Sequence, residues 1–246
     1  MKSAFTKVLF LSALILGTGS VAQAQFRQSI YLNLGLPTGG IASSVSTPHA
    51  IPLTYTEICK DARIGFGGGY RASYRFDVGT GEVAPFAQVD LFWNTINGEL
   101  SDEYTQARAE HTPAYFNVPI QVGVTYLYDE LWNDVTPFGE FGLGTDILMI
   151  SSEGPCTLTD ALGNQTTSPK YAYKLNSKFS FSLGAGAYFG RHFSAGIYYY
   201  WMGKHTIEYT DKTLDRLPVA EQTAYNTGNV ETRTVGTLAL RLGFHF

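Results

Sequence analysis

Residues 238–246, which read LALRLGFHF, alternate between apolar and other side chains along their whole length. The apolar residues occupy every second position: Leu238, Leu240, Leu242, Phe244 and Phe246. Successive side chains of a β-strand point to opposite faces, so this stretch predicts a strand with one apolar face. Arg241 and His245 lie on the opposite face.

The rest of the chain repeats this period of two in seven further segments. They cover residues 26–36, 63–76, 83–96, 114–128, 136–150, 176–189 and 193–202, and the quoted stretch extends to 234–246. Strands of about 10 to 15 residues are long enough to cross a bilayer when tilted. No helical pattern of comparable length separates them. The sequence therefore predicts an all-β fold, an eight-stranded antiparallel up-and-down barrel.

The composition supports this class. The chain has 246 residues, of which 44% are hydrophobic, only 15% are charged and 26 are glycine. Such a composition excludes a disordered tail and a coiled coil. Past the N-terminus no apolar run reaches 18 residues, which excludes a helical membrane protein. A membrane barrel remains open, because alternating strands average to a mean hydropathy near zero, here −0.05.

Residues 1–24 have the pattern of a secretory signal peptide. Lys2 and Lys7 precede the apolar core at 8–17, and the A-x-A motif at 22–24 predicts cleavage after Ala24. Residues 25–246 then form one domain. Cleavage removes two lysines and no acid from a chain of formal charge −4, which argues against a nucleic-acid partner.

Long and short connections alternate between the predicted strands. The long ones cover 37–62, 97–113, 151–175 and 203–233, and the short ones cover 77–82, 129–135 and 190–192. Barrels of the bacterial outer membrane have short periplasmic turns and long extracellular loops. The alternation therefore predicts a transmembrane barrel with both termini in the periplasm and four extracellular loops.

The polar face of the strands consists mainly of Gly, Ser, Asn, Gln and Thr, and lysine is almost absent from it. A soluble barrel, the rival prediction, would cover its outside with Lys and Glu. Small polar residues instead suit a narrow interior, so we expect the apolar face to point outward into lipid. Aromatic residues near the strand ends predict two girdles.

Three segments carry a resemblance to a known family: YFNVPI at 115–120, PFGEFGLG at 137–144 and LRLGFHF at 240–246. The chain resembles the small outer-membrane β-barrel family of Bacteroidetes, which is related in architecture to OmpA/OmpX-type barrels. Its end, Leu242, Phe244 and above all Phe246, resembles the signal read by the barrel-assembly machinery. The resemblance implies the fold and the outer membrane, with its lipid, and implies no shared activity.

Seven charged residues fall on the predicted inner face: Arg27, Arg71, Arg75, Asp90, Glu140, Asp146 and Arg241. An eight-stranded barrel is only wide enough for side chains to fill it, and buried charges need partners. We therefore expect an internal salt-bridge network, with Asp90 and Glu140 meeting Arg71 and Arg75 at its centre. The alternative is that these charges line an ion path.

No catalytic, metal or cofactor site is predicted. The histidines are scattered without metal-ligand spacing. His192-Phe193-Ser194 faintly resembles the His-x-Ser of outer-membrane lipid A deacylases, with Glu208 as the candidate acid. Residue 192 falls in a predicted periplasmic turn, however, whereas that enzyme acts in the outer leaflet. An ordinary turn and strand is the preferred interpretation.

The two cysteines, Cys59 and Cys156, fall in the first and third long connections, on the same predicted rim. Export places both in an oxidising compartment, where an exposed free thiol is a liability. We predict a disulfide between them. Two free loop cysteines, or a link to a neighbouring molecule, are the alternatives.

These observations favour a monomeric outer-membrane barrel that is not an enzyme. We expect a structural or surface-interaction role through the loops, with an extracellular protein or host surface as partner. Three alternatives stay open: a small channel or porin, a lipid-modifying enzyme, and a secreted soluble ligand-binding barrel.

Overall fold

The structure is a computed structural model of the chain. It describes residues 26–42, 62–95, 99–101, 105–109, 114–128, 134–151, 156–160, 165–167, 171–173, 176–211 and 230–246. The predicted signal peptide and Cys59 lie outside the described residues.

Eight long strands form a closed antiparallel barrel in which each strand pairs with its neighbours in the chain. The strands are β1 (Phe26–Thr38), β2 (Gly65–Tyr74), β3 (Gly81–Thr95), β4 (Ala114–Tyr128), β5 (Val135–Ser151), β6 (Asn176–Phe189), β7 (Phe193–Asp211) and β8 (Val230–His245). The short strand Phe76–Asp77 also pairs with β3. The predicted all-β, up-and-down barrel is confirmed.

The barrel closes between its first and last strands. β1 pairs with β8 from Ser29, opposite His245, to Thr38, opposite Gly236. Beyond this ladder, Gln28 and Phe246 exchange two backbone hydrogen bonds of 3.0 Å each. The final residue is therefore part of the seam, and closure leaves the barrel without an unpaired edge.

The last hairpin extends further than the sequence predicts. The expected strands end at residue 202 and begin at residue 234, whereas β7 reaches Asp211 and β8 starts at Val230. The apolar alternation is interrupted by a β-bulge, where the register shifts between Trp201 and Lys204 and Gly203 has φ 92°. A bulge inverts the facing of the residues beyond it, which hides the continuation of the strand.

The second and third long connections contain a second sheet that the sequence did not predict. Its four antiparallel strands follow the order Gln165–Thr167, Cys156–Asp160, Thr105–Ala109, Glu99–Ser101. These segments have only three to five residues each, too few for a usable periodicity. One of the three pairings joins different connections, that of Thr105–Ala109 with Cys156–Asp160. Cys156 begins one strand, opposite Ala109. With Cys59 outside the described residues, the disulfide stays a prediction.

The one helix of the described ranges is a single 3-10 turn, Gly39–Ile41, at the end of β1. No helix of that part of the chain has both the length and the apolar character needed to span a membrane.

Side chains alternate between the interior and the exterior as the sequence predicts. On β1, Tyr31 and Asn33 are buried, whereas Leu32 is 71% exposed and Leu34 is 54% exposed. The same holds around the barrel, where the exposed large apolar residues include Phe66, Tyr70, Val89, Leu91, Ile120, Val122, Phe141, Leu143, Phe179, Leu183, Ile197, Leu240, Leu242 and Phe244. The predicted apolar exterior and polar interior are confirmed.

Aromatic side chains cluster at both ends of the strands, as expected. Towards the long connections, the Trp93 ring packs on Phe66 (centroid distance 4.7 Å) and stacks on Phe116 (6.0 Å). At the turn end, the contacts are Tyr74–Phe76, Tyr126–Tyr128 and Phe193–Phe244, at 4.8, 4.8 and 5.5 Å. Two aromatic belts of this kind flank the apolar band.

Candidate functional site

The centre of the lumen is crossed by a bidentate ion pair between Arg71 on β2 and Glu140 on β5. Arg71 Nη1 donates to Glu140 Oε2 at 2.7 Å, and Nη2 donates to Oε1 at 2.6 Å. Both residues are almost fully buried, at 5% and 6% exposure. Two parallel charge-assisted hydrogen bonds are the strongest arrangement available to this pair.

A second ion pair lies beside the first. Arg241 Nη2 donates to Asp90 Oδ1 at 3.0 Å, and Asp90 also accepts hydrogen bonds from Asn33 (3.2 Å) and Tyr200 (3.1 Å). Arg241 Nη1 lies 3.9 Å from Glu140 Oε1, which links the two pairs. The cluster thus holds two guanidinium groups and two carboxylates, and its formal charge is zero.

Aromatic rings cover the guanidinium planes. The Cζ atom of Arg241 lies 3.7 Å from the centroid of the Tyr31 ring and 4.1 Å from that of Tyr198. The Cζ atom of Arg71 lies 4.0 Å from the Phe86 ring. Guanidinium groups stack well on aromatic faces, and desolvation strengthens the attraction. The rings therefore pack directly against the charged groups in the interior of the barrel.

A chain of amides completes the cross-section. Gln88 accepts a hydrogen bond from Arg71 Nε (3.1 Å) and donates to Gln121 (3.0 Å), which in turn donates to Ser180 (3.2 Å). Lumen glycines make room for these long side chains. A Cβ atom at Gly69 would lie 2.6 Å from Asp90 Oδ1, and one at Gly184 would lie 2.4 Å from the Tyr198 ring.

The structure brings together four of the seven predicted charged residues: Arg71, Asp90, Glu140 and Arg241. The expectation that Arg75 belongs to the centre is wrong. Arg75 follows the last residue of β2, about 13 Å from Arg71 along the chain, and pairs with Glu82 at 3.0 Å near the turn end. Arg241 from the last strand occupies the central position instead.

The two remaining predicted residues also lie apart from the cluster, so the single network that we expected is wrong. Arg27, at the turn end, donates to the carbonyl oxygen of Arg191 at 3.4 Å. Asp146 lies towards the other end of β5, where its Oδ2 is 3.1 Å from Nε2 of a fully buried His205. The seven predicted residues are therefore divided among the central cluster, the turn end and the Asp146–His205 contact.

The uncharged members of the cluster were not predicted from the sequence. These are Tyr31, Asn33, Phe86, Gln88, Gln121, Tyr198 and Tyr200. All of them occupy inward positions of the period-two pattern, which was the available signal. Tyr198 and Tyr200 are hard to recognise because the run IYYYW at 197–201 is aromatic or apolar at every position.

The deacylase-like constellation is not formed. Ser194 Oγ is buried and lies 2.8 Å from Nε2 of His245, whose Nδ1 is 2.7 Å from Ser29 Oγ. His192 is exposed, and its Nδ1 contacts the backbone oxygen of His245 at 3.0 Å. Glu208 lies near the far end of the same strand, roughly 45 Å from Ser194. These three residues therefore cannot act on one substrate.

In the described part of the chain, no group of three or more His, Cys, Asp or Glu residues could hold a metal ion. The buried acids there lie against basic side chains: Glu140 against Arg71, Asp90 against Arg241 and Asp146 against His205.

The fold and interior define a closed eight-stranded barrel with an apolar exterior and an ion-paired lumen. No protein-family model matches the sequence, and no curated protein matches it. Several solved structures are similar to the chain. Ail, the attachment invasion locus protein of Yersinia pestis, solved with the heparin analogue sucrose octasulfate, has 11% identity and TM-score 0.38, with coverage of 90% of this chain and 98% of that one. Neisserial surface protein A has 9% identity and TM-score 0.38, with coverage of 90% and 97%.

The outer membrane protein OprG from Pseudomonas aeruginosa has 11% identity and TM-score 0.37, with coverage of 90% of this chain and 94% of that one. At TM-scores below 0.5, no function is transferred from these proteins. The resemblance to the Bacteroidetes family stays a prediction, because no family model matches.

Proposed function

We propose that the chain is an integral protein of the bacterial outer membrane. The observation that carries this proposal is the continuous apolar exterior, in which Ile30, Leu32 and Leu34 of a single strand are each more than half exposed. Exposing this apolar surface to water around the whole barrel would be unfavourable, whereas contact with the hydrocarbon of a bilayer would not. The aromatic belts at both strand ends fit the two interfaces of a bilayer.

We further propose that the barrel does not conduct ions and acts through its long connections. The Arg71–Glu140 and Arg241–Asp90 pairs cross the lumen, and stacked rings and amides fill the space between them. An ion would have to separate these buried ion pairs to pass, which is costly because it would leave buried charges without partners. This arrangement favours a structural or surface-interaction role over a channel.

The second and third connections support a role in contacts. Main-chain hydrogen bonds join Thr105–Ala109 of one connection to Cys156–Asp160 of the other. Because this pairing already orders the two segments, binding a partner costs less conformational entropy than it would with two independent loops. An extracellular protein or a host surface is the proposed partner, and the chain is proposed to be monomeric and without enzymatic activity.

Cell fractionation combined with a heat-modifiability gel tests the membrane proposal. We expect the protein in the outer-membrane fraction, with unboiled and boiled samples migrating differently because the closed barrel resists detergent. Recovery from the soluble periplasm with identical migration would favour the secreted soluble barrel instead.

Single-channel recording in planar bilayers tests the closed lumen. We expect no stable open conductance from the purified barrel. A steady conductance that scales with protein concentration would contradict the closed lumen and support the small channel.

A further inference from the structure

A polar cavity opens at the turn end of the barrel, outside the central cluster. Its volume is about 260 Å³, much larger than the ~30 Å³ that one water occupies in the liquid. We call it the turn-end pocket, and its side chains are those of Arg27, Arg75, Asp134, Thr136, Tyr188 and Arg191. The Tyr188 ring packs on the buried His245, with a centroid distance of 4.6 Å.

Cations outnumber carboxylates in this pocket. Arg75 is paired with Glu82 at 3.0 Å, and its Cζ lies 4.9 Å from the Tyr188 ring centroid. Arg27 donates only a long hydrogen bond of 3.4 Å, to the carbonyl of Arg191. Within the ranges that the structure describes, no ion pair joins Arg27 or Arg191 to a carboxylate. Three guanidinium groups thus meet two carboxylates, those of Glu82 and Asp134.

The central cluster differs from the turn-end pocket in its balance of charges. There each guanidinium is matched by a carboxylate at 3.0 Å or less, and no charge is left over. At the turn end, a half-buried Arg27 and the neighbouring Arg191 keep donors available beside the hydroxyl groups of Thr136 and Tyr188. Planar guanidinium forks together with hydroxyl donors are the chemistry that recognises an oxyanion, and phosphate above all.

We propose that the turn-end pocket binds a phosphate ester, with Arg27 and Arg191 as the anion-binding residues and Thr136 and Tyr188 as hydrogen-bond donors. The volume accommodates a phosphoryl group with a small organic part. Two sources share this chemistry, a soluble phosphate ester and a phospholipid headgroup at the membrane surface. Binding depends on the pocket and not on which side of the membrane the turns face.

Calorimetric titration of the folded barrel in octyl glucoside, which contains no phosphate, tests the site with glycerol 3-phosphate as the probe. We expect saturable binding that weakens at least tenfold in the double variant Arg27→Gln/Arg191→Gln. Arg63→Gln is the matched control, because Arg63 is exposed near the opposite end and its contact with Asn94 uses the backbone oxygen. This control should bind like the parent protein.

Absence of saturable binding to the parent protein, or equal affinity in the double variant, would overturn the site. Each variant is first checked on the heat-modifiability gel, and Arg27→Lys/Arg191→Lys should recover part of the affinity because the charge remains. Repeating the titration in phosphatidylcholine nanodiscs separates the two sources. A headgroup occupant should compete and weaken glycerol 3-phosphate binding, whereas unchanged affinity indicates a soluble ester.

Discussion

Arg71 and Glu140 face each other across the lumen from strands that are not neighbours, and two hydrogen bonds of 2.7 and 2.6 Å join them. β2 and β5 are separated by β3 and β4 in the sheet. The ion pair therefore joins two strands across the interior, in addition to the backbone ladders that run around the barrel.

Removing one partner of this pair should be costly. Glu140→Gln leaves the Arg71 guanidinium buried without its counter-ion, so we expect a loss of about 3–5 kcal/mol in the free energy of unfolding. Urea unfolding in lipid vesicles measures it. Glu82→Gln is the control, since the Arg75–Glu82 pair is partly exposed and should contribute no more than about 1 kcal/mol. Equal effects of the two substitutions would show that the central pair contributes no more than the partly exposed pair.

The exterior substitution Leu32→Arg distinguishes lipid from water around the barrel. A charge on the lipid-facing side near the middle of the bilayer costs about 2–4 kcal/mol, whereas in water a side chain that is 71% exposed tolerates it. We expect less folded barrel in vesicles and a lower free energy of unfolding. Val78→Arg, in a short turn beyond the apolar band, should have little effect. If Leu32→Arg folds as well as Val78→Arg, the proposal that Leu32 faces lipid is wrong.

Replacing a lumen glycine by alanine should destabilise the barrel where cluster side chains occupy the space beside that glycine. A Cβ atom at Gly184 would lie 2.4 Å from the buried Tyr198 ring and 3.1 Å from Glu140 Cγ. We expect Gly184→Ala to lower the free energy of unfolding by about 1–3 kcal/mol. The control is Gly139→Ala, where nothing lies within 4 Å of the added atom. Chemical denaturation of both variants measures this free energy. If Gly184→Ala left it unchanged, the side chains of the cluster would be able to shift and accommodate the added atom.

Deleting Phe246 should impair assembly of the barrel. The deletion removes the two backbone hydrogen bonds to Gln28 and the terminal ring on the outer face. We expect lower outer-membrane levels and more periplasmic degradation, measured by immunoblotting of fractions. Phe246→Ala keeps the backbone bonds, so it isolates the contribution of the ring to recognition. A normal level of folded barrel after deletion would contradict the assembly signal.

The Cys59–Cys156 disulfide can be tested by labelling with a thiol reagent under denaturing, non-reducing conditions. We expect no reactive thiol in the protein purified from the outer membrane. The bond would close a loop of about a hundred residues, for which the chain-entropy model gives at most about 4.7 kcal/mol. Two labelled cysteines per chain would exclude it.

The eight strands of the barrel and the facing of their side chains could be read from the sequence. Both depend on local geometry, because the period of two assigns Leu32 to one face and Asn33 to the other without reference to any other strand. The alternation of long and short connections likewise follows from chain order. The same parity placed Arg71, Asp90, Glu140 and Arg241 in the lumen.

Which charges meet was decided only by the tertiary structure. The height of a residue in the barrel depends on the tilt and stagger of all eight strands, which no single segment encodes. The period-two pattern places both Arg241 and Arg75 on the inner face, but only Arg241 lies at the central height. Asp146 meets His205 near the other end of the barrel. The second sheet has the same origin, because residues 105–109 pair both with residues 99–101 and with residues 156–160, which belong to a different connection. Pairing between distant segments is a property of the closed barrel, and periodicity within one segment carries no information about it.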